Sequence, residues 1–459
     1  MTKHLIRSRV TKALTDAGLA ASFAEAEARL DAVRVCVVLG DDQARTPAGQ
    51  AAALTALAVA YKCFGRVSLA TNAEAASLIS PLLIGPTIAD AARNLGGAVD
   101  RNIPADTTHL VRIGGGPDWA GWRVDCWWDR WLAGTRTDSS EDIGDSRLSL
   151  SGVFAGALAV RQIFASARIG PSYHARDVSI SVWEPWTVAG PTSRGPARFT
   201  APNALWLVGL GHLGQAFVWN LLTLPYRQER RIVLQDDQRI GEENQATSLL
   251  VLAQPKIGER KVRLASTWLE HSGWETTLNE RRHRGELRPT ADDPPFLLSG
   301  LDDLAPRKLL AGAGFDYMVD AGIGHGPGDF EGIQLRIIQN GGSIEGLWNA
   351  TENGTSNDRL LAGEAYQSLE REIGACGTFT MANASIAVPF VGAAAGALTI
   401  AQLIRLASMQ PGGALIQMDL ASPEMMIDGG RSATPHCYLG GEIVDLDKFV
   451  PTGRDTAVV

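Results

Sequence analysis

Three short runs in this chain carry residue types suited to handling a triphosphate. Gly209, Gly211 and Gly214 form G-x-G-x-x-G in LWLVGLGHLGQAFVWNLL, between an apolar strand and a helix. Such a turn brings backbone N–H groups and a helix N-terminus against a phosphate. Alone, it fits a nicotinamide-dependent dehydrogenase. The second run shifts that reading. A strand, Arg231 to Leu234, ends on Asp236 and Asp237; Asn244 follows, and Lys261 stands 17 positions further on in the I-G-E-R-K run. A dehydrogenase uses one acid on the ribose and has no use for the polar loop and lysine. An enzyme that cleaves ATP uses both, because the charge of the triphosphate must be offset.

The third run, Ser299–Arg307 (SGLDDLAPR), follows an apolar strand, so Asp302 and Asp303 fall at its C-terminal end. Open α/β sheets bind ligands at that edge. One acid there could hold Mg²⁺ with phosphate oxygens completing the shell, while the other caps the next helix. Cys376 closes a polar, Gly-rich stretch just before an Ala-rich helix. A cysteine so placed is either an inert buried thiol or a nucleophile. Cys36 and Cys63 have apolar strand and helix contexts, and Cys126 lies among tryptophans. Cys437, in TPHCYLG, is the second choice for a reactive thiol. His212 lies inside the glycine turn with no partner pattern that makes it a base. Gly324-His325-Gly326 reads as a simple turn, with the path of a peptide C-terminus as the alternative.

The elements that must position these residues fill a chain of 459 residues, enough for two or three domains. A net charge of −8 argues against a nucleic-acid surface. Five scattered cysteines without a C-x-x-C pair point to a reducing cytoplasm and to no zinc site. The N-terminus is too polar for a signal peptide. Residues 375–404 carry no charge, but their Thr, Asn, Ser, Pro and Gln content reads as a buried loop and helix rather than a membrane span. Five tryptophans at 119, 122, 127, 128 and 131 read as packing, with an interface as the alternative.

An internal duplication is visible. AGALAVRQIF at Ala155–Phe164 matches AGALTIAQLI at Ala395–Ile404, and VRVCVVLG at Val33–Gly40 aligns with ALWLVGLG at Ala204–Gly211. The first copy continues as DDQARTPAG, with no glycine motif. The expected fold is therefore α/β: two units of mostly parallel sheet with helices on both faces, the first degenerate. The expected boundaries are 1–180 for that unit, 181–203 for a Trp/Gly/Pro-rich linker and 204–339 for the nucleotide-binding unit. A crossover loop holding Cys376 is expected at 340–380, and a closing helix with short strands at 381–459. In the second unit the expected strands are Leu205–Gly209, Arg231–Leu234, Phe296–Ser299, Tyr317–Asp320 and Phe330–Gln339, with Gly441–Leu446 in the tail.

Glycine turn, acidic strand end, Asn, I-G-x-x-K and strand-end L-D-D with a downstream Arg together resemble the ThiF/MoeB superfamily, which includes ubiquitin-activating enzymes. The resemblance covers residues 204–410, and the duplication resembles the fusion of an inactive to an active adenylation half. It implies two Rossmann-like ThiF-type units and ATP with Mg²⁺ as cofactors. Gly209, Gly211 and Gly214 would cradle the nucleotide, Asp237 or alternatively Asp236 would bind the ribose, Asn244 and Lys261 the phosphates, and Asp302 the metal. Cys376 is placed as in the single-domain activating enzymes of the autophagy and UFM-type branches, which implies a thioester there. Implied partners are the C-terminal tail of a ubiquitin-like protein, a conjugating-enzyme-like carrier and a second copy in a homodimer, with no nucleic acid or membrane, in a bacterial ubiquitination-like pathway. The chain departs from the family at N-x-x-R-Q, which reads Asn244-Gln-Ala-Thr247-Ser248, and Arg7 and Arg9 are the candidate replacements. Alternatives are adenylation without a thioester, a non-catalytic scaffold and, third, a dehydrogenase.

Overall fold

The computed structural model describes residues 6–138, 142–342, 347–348, 360–436 and 438–448. Two short helices open the chain, α1 (Ser8–Thr15) and α2 (Phe23–Asp31). The first unit then runs β1 (Val35–Leu39), α3 (Pro47–Phe64), β2 (Val67–Ala70), α4 (Ile88–Asn94), β3 (Ala98–Asp100), β4 (His109–Ile113), β5 (Trp122–Asp129), β6 (Leu132–Arg136), α5 (Ser149–Ile169) and β7 (Val178–Ser181). Local chemistry fixes the helix starts. Ser22, Thr46 and Thr87 each accept a backbone N–H three residues on, and Pro47 begins α3.

The second unit repeats the plan. It runs β8 (Arg198–Ala201), β9 (Ala204–Val208), α6 (His212–Thr223), β10 (Arg231–Gln235), α7 (Asn244–Thr247), α8 (Lys261–His271), β11 (Glu275–Asn279), β12 (Phe296–Ser299), α9 (Leu304–Ala311), β13 (Tyr317–Ile323) and β14 (Gly332–Gln339). It closes with α10 (Glu364–Asn383), α11 (Pro389–Ala407), β15 (Leu415–Asp419), β16 (Ile427–Asp428) and β17 (Glu442–Asp445). The first sheet has the order β3-β2-β1-β4-β5-β6-β7 and the second β11-β10-β9-β12-β13-β14-β15-β16. In each, five strands are parallel and the remainder antiparallel at one edge. The chain thus contains two Rossmann-like α/β units of one topology.

The repeated AGAL segments have a packing reason. A Cβ on Gly152 would lie 2.1 Å from Ala48 O and one on Gly156 2.5 Å from Ala52 O, so α5 lies backbone-to-backbone on α3. In the second unit a Cβ on Gly396 would lie 2.8 Å from Ala216 O, so α11 approaches α6 in the same way. Helices α5 and α11 then pack on each other, with the Phe164 and Phe390 rings 5.3 Å apart. Both are long and apolar enough to cross a membrane, yet α11 is buried throughout and α5 is buried up to its last two residues, Arg168 and Ile169. Arg161 crosses between the units to Glu331 at 2.6 Å, both side chains 7% exposed.

Three observations differ from the sequence reading. Residues 364–380, expected as loop, belong to helix α10, because EAYQSLER is rich in helix formers. Residues 343–346 and 349–359 of that segment, together with Cys437, lie outside the described residues. The 181–203 segment contains a strand, β8, which pairs antiparallel with β17. Strand β11 was not expected: ETTLN has no apolar alternation because it is an exposed sheet edge. Trp127, Trp128 and Trp131 are buried, as the packing reading has it.

Candidate functional site

The C-terminal edge of the second sheet opens into a cavity of about 320 Å³. The glycine turn between β9 and α6 forms its floor. Gly209 has φ +86°, and a Cβ there would meet Gly300 at 2.9 Å; one on Gly214 would meet Gly209 O at 1.9 Å. These two glycines let the turn, α6 and the loop after β12 close on one another. Gly211 differs: a Cβ there meets nothing within 4 Å, and the residue lines the cavity at the N-cap of α6. Space and a helix N-terminus therefore coincide at Gly211, as an anion requires.

Loops from adjacent strands supply the walls. After β10, Asp236 accepts from Leu210 N–H and from Gln238 N–H, both at 2.6 Å, which ties the strand end to the glycine turn. Asp237 is exposed beside it. Asn244 begins α7 and accepts from Gly241 N–H at 2.8 Å. Lys261 begins α8, is buried, and donates to Gln238 Oε1 at 2.7 Å. After β12 the paired acids divide. Asp303 caps α9 through Ala305 N–H at 3.3 Å, while Asp302 lines the cavity and accepts no hydrogen bond among the described residues. Arg307, one turn further on, also lines the cavity and is paired with a buried Asp320 at 2.5 and 2.9 Å.

Of the two arginines considered as replacements, the structure brings one to the cavity. Arg7 donates to Cys63 O at 3.1 Å and pairs with Glu27 at 2.7 Å and Asp31 at 2.5 Å, away from the site. Arg9 lines the cavity, and its Nε donates to Ser385 O at 2.8 Å. Burial lowers its pKa, with Asp302 and Glu243 acting in the opposite sense. Among the described residues no carboxylate reaches ion-pair distance of Arg9. It is a partly desolvated cation facing open volume.

The histidines have defined places. His212 Nδ1 bonds Thr247 O at 2.5 Å, and burial pushes its pKa down to about 4, so it is neutral and ties α7 to the glycine turn. His325 Nδ1 meets Ser385 Oγ at 2.7 Å, joining the loop after β13 to the link between α10 and α11. Sequence reasoning missed Arg281, Arg282 and His283 on the cavity wall, because the strand they follow was not recognised.

Gly214 supports the turn without lining the cavity, and Cys376 does not line it either. Cys376 is exposed on α10, two residues past Gly374, whose φ of +75° breaks the helix. It therefore begins a fresh helical segment. Seven residues at about 1.5 Å rise place it roughly 10 Å along the helix from Asn383. Ser385, two residues beyond, is on the cavity wall. The other described cysteines are buried, and burial pushes the thiol of Cys36 up to about 11 and those of Cys63 and Cys126 higher still.

In the first unit, Asp42 stands at the corresponding edge. Its carboxylate accepts from Gly115 N–H at 3.0 Å and crowds Gly40 and Gly114, so an acid fills the space that Gly211 leaves open in the second unit.

Fold and site together define a tandem Rossmann-like protein with a cavity at the glycine turn of its second unit. The chain belongs to the BilD family: the model of the BilD N-terminal domain matches residues 34–182 and that of the BilD C-terminal domain residues 201–410. The bacterial E1-like protein BilD of Collimonas sp. (strain OK412) is 31% identical over 419 residues, 88% of this chain and 88% of that protein.

Proposed function

We propose that this protein activates a ubiquitin-like protein: it uses ATP and Mg²⁺ to adenylate the partner's C-terminal carboxylate, then transfers the acyl group to Cys376. The observation that carries the reading is the partly desolvated Arg9, with no ion-pair partner among the described residues, lining one cavity with Asp302 and the open Gly211 turn. An anion with a cation of its own fits that arrangement better than an uncharged ligand does. Kinship with a relative named an E1-like protein supports the same class of reaction.

The chain's residues divide the work as follows. Gly211 N–H and the start of α6 hold phosphate oxygens, with Lys261 and Asn244 beside them; Asp237 takes the ribose hydroxyls, with Asp236 ordering the turn. A carboxylate oxygen of the partner attacks the α-phosphorus and pyrophosphate leaves. Negative charge grows on the α-phosphate oxygens, and Arg9 and Lys261 stabilise it. Mg²⁺ held by Asp302 would neutralise charge on the phosphate oxygens, which complete its shell. Asp302 suits this role because its carboxylate has no hydrogen bond among the described residues to give up. No cluster of three or more His, Cys, Asp or Glu gathers among the described residues, so the other metal ligands would come from phosphate and water. Cys376 Sγ, after losing its proton, then attacks the acyl carbon and AMP leaves. The helix carrying Cys376 and the adenylate must first approach each other. Asp42 supports the view that the first unit binds no nucleotide.

The test is a covalent adduct. Wild type with ATP and the partner is expected to form a thiol-sensitive adduct; Cys376→Ala is expected to adenylate without forming it. An unchanged adduct on Cys376→Ala overturns the thioester assignment. Adenylation with no adduct in wild type favours the adenylating-only alternative. No ATP binding at all leaves a scaffold.

A further inference from the structure

His283 is the wall residue with the clearest unmet need. It follows the edge strand β11, on the far side of Asp236 and Asp237 from the glycine turn. The residue is 5% exposed and its side chain 1% exposed, yet neither ring nitrogen has a hydrogen-bond partner among the described residues. A buried polar group without a partner costs free energy, so one that lines an open cavity is matched to a ligand. Its neighbours on that wall are Gln235, Arg281 and Arg282. Gln235 is already engaged: Trp206 Nε1–H donates to it at 3.3 Å and it donates to Arg281 O at 3.4 Å.

The order of loops along the sheet edge fixes what part of a ligand lies there. The glycine turn follows β9, the ribose acid follows β10, and His283 follows β11. A nucleotide with its phosphates on the turn and its ribose at Asp237 directs its base toward β11. We infer that His283 is the residue that reads the nucleobase, with its Nε2 lone pair accepting a hydrogen bond from the adenine 6-amino group. This rests on the proposed reading of the cavity as a nucleotide site.

The tautomer follows from the surroundings. Glu286 Oε2 lies 4.0 Å from Nδ1, beyond hydrogen-bond reach, and its negative charge favours the tautomer with the proton on Nδ1 and Nε2 as acceptor. Burial, with Arg288 nearby, lowers the ring's pKa despite Glu286, so the neutral form prevails at pH 7. A guanine or hypoxanthine would present its 6-oxo group instead, setting two acceptors against each other. The mismatch strands a buried polar atom, a cost that an apolar pocket would not impose.

The experiment compares binding of ATP, GTP and purine riboside triphosphate, which lacks the 6-amino group, to the full chain, to His283→Phe and to His283→Gln. Wild type is expected to prefer ATP over both others by about tenfold, the effect of one hydrogen bond with a buried acceptor. His283→Phe is expected to lose the preference. His283→Gln, whose amide can turn either face, is expected to keep ATP affinity and to admit GTP. Thermal unfolding without nucleotide checks that both variants fold, and the Gln variant carries the test if the Phe variant does not. Wild type that binds no triphosphate overturns the nucleotide reading itself. Wild type that binds ATP without preference over purine riboside triphosphate, or a Gln variant that still excludes GTP, overturns the role of His283 and leaves the nucleotide reading standing.

Discussion

Arg7 and Arg9 are two residues apart, and their replacements are expected to fail in different ways. At Arg9 the guanidinium faces the cavity with no carboxylate within ion-pair distance among the described residues, and burial already lowers its pKa. Two unit charges 4 Å apart attract by about 4 kcal/mol at an effective dielectric of ~20. Removing one donor to a developing oxyanion costs about 10²–10³ in rate, or ~2.7–4 kcal/mol. The two figures agree, so Arg9→Ala is expected to lower partner-dependent ATP–pyrophosphate exchange roughly 10²–10³-fold, with Arg9→Lys recovering part of it. Stability changes little, because the lost protein contact is one hydrogen bond to Ser385 O. Arg7→Ala strands Glu27, whose side chain is 10% exposed, and removes one partner each from Asp31 and Cys63 O. Breaking a buried pair in this way costs about 3–5 kcal/mol. Urea unfolding is expected to show that loss, while exchange by the folded fraction matches wild type. Normal exchange in Arg9→Ala, or lost exchange in a well-folded Arg7→Ala, would refute the assignment of Arg9 as the replacement for the arginine missing at Thr247.

The glycines offer a second contrast: Gly211→Ala should fold as wild type and bind ATP weakly, whereas Gly214→Ala should fail to fold, its Cβ lying 1.9 Å from Gly209 O. Calorimetry on the two variants separates the roles. The paired acids divide similarly. Asp303→Ala should lose about 1 kcal/mol of stability through the helix cap, and Asp302→Ala should keep stability and lose Mg²⁺-dependent exchange. Lys62, buried between the units and donating to Gln245 O and Val251 O at 2.8 and 2.6 Å, has its pKa pushed down to about 7 by burial. The unfolded chain then holds more protons than the folded one between pH 7 and about 10.4, so this residue makes stability rise with pH across that window. Replacing it with Met should flatten the rise, as read by urea midpoints at pH 7 and pH 9.5.

What the sequence made legible, and what it did not, follows from how each feature is encoded. The strands at Phe296–Ser299 and Arg231–Gln235 are buried apolar runs with distinct ends, so their positions and the acids that follow them could be read directly. The AGAL repeat is visible because two helix pairs need glycine at the same contact. Strand β11 is an exposed edge whose polar residues imitate a loop, and missing it hid the Arg281–His283 wall. Cys376 was expected at the close of a loop because the stretch before it is polar and Gly-rich; the chain instead breaks at Gly374 and resumes helix at once. The choice between Arg7 and Arg9 depends on direction: Arg7 is the non-helical N-cap of α1 and Arg9 lies in its first turn, and only the packing of α1 decides which faces the cavity. For Asp302 and Asp303 the backbone conformation at the start of α9 makes the same kind of choice.

The most direct measurement is ATP–pyrophosphate exchange by the purified protein with Mg²⁺ and the ubiquitin-like protein encoded nearest its gene, wild type against Asp302→Ala. Exchange that requires the partner and vanishes in Asp302→Ala is the expected result. Exchange in Asp302→Ala equal to wild type, or the absence of both exchange and ATP binding in wild type, would contradict the proposed adenylation.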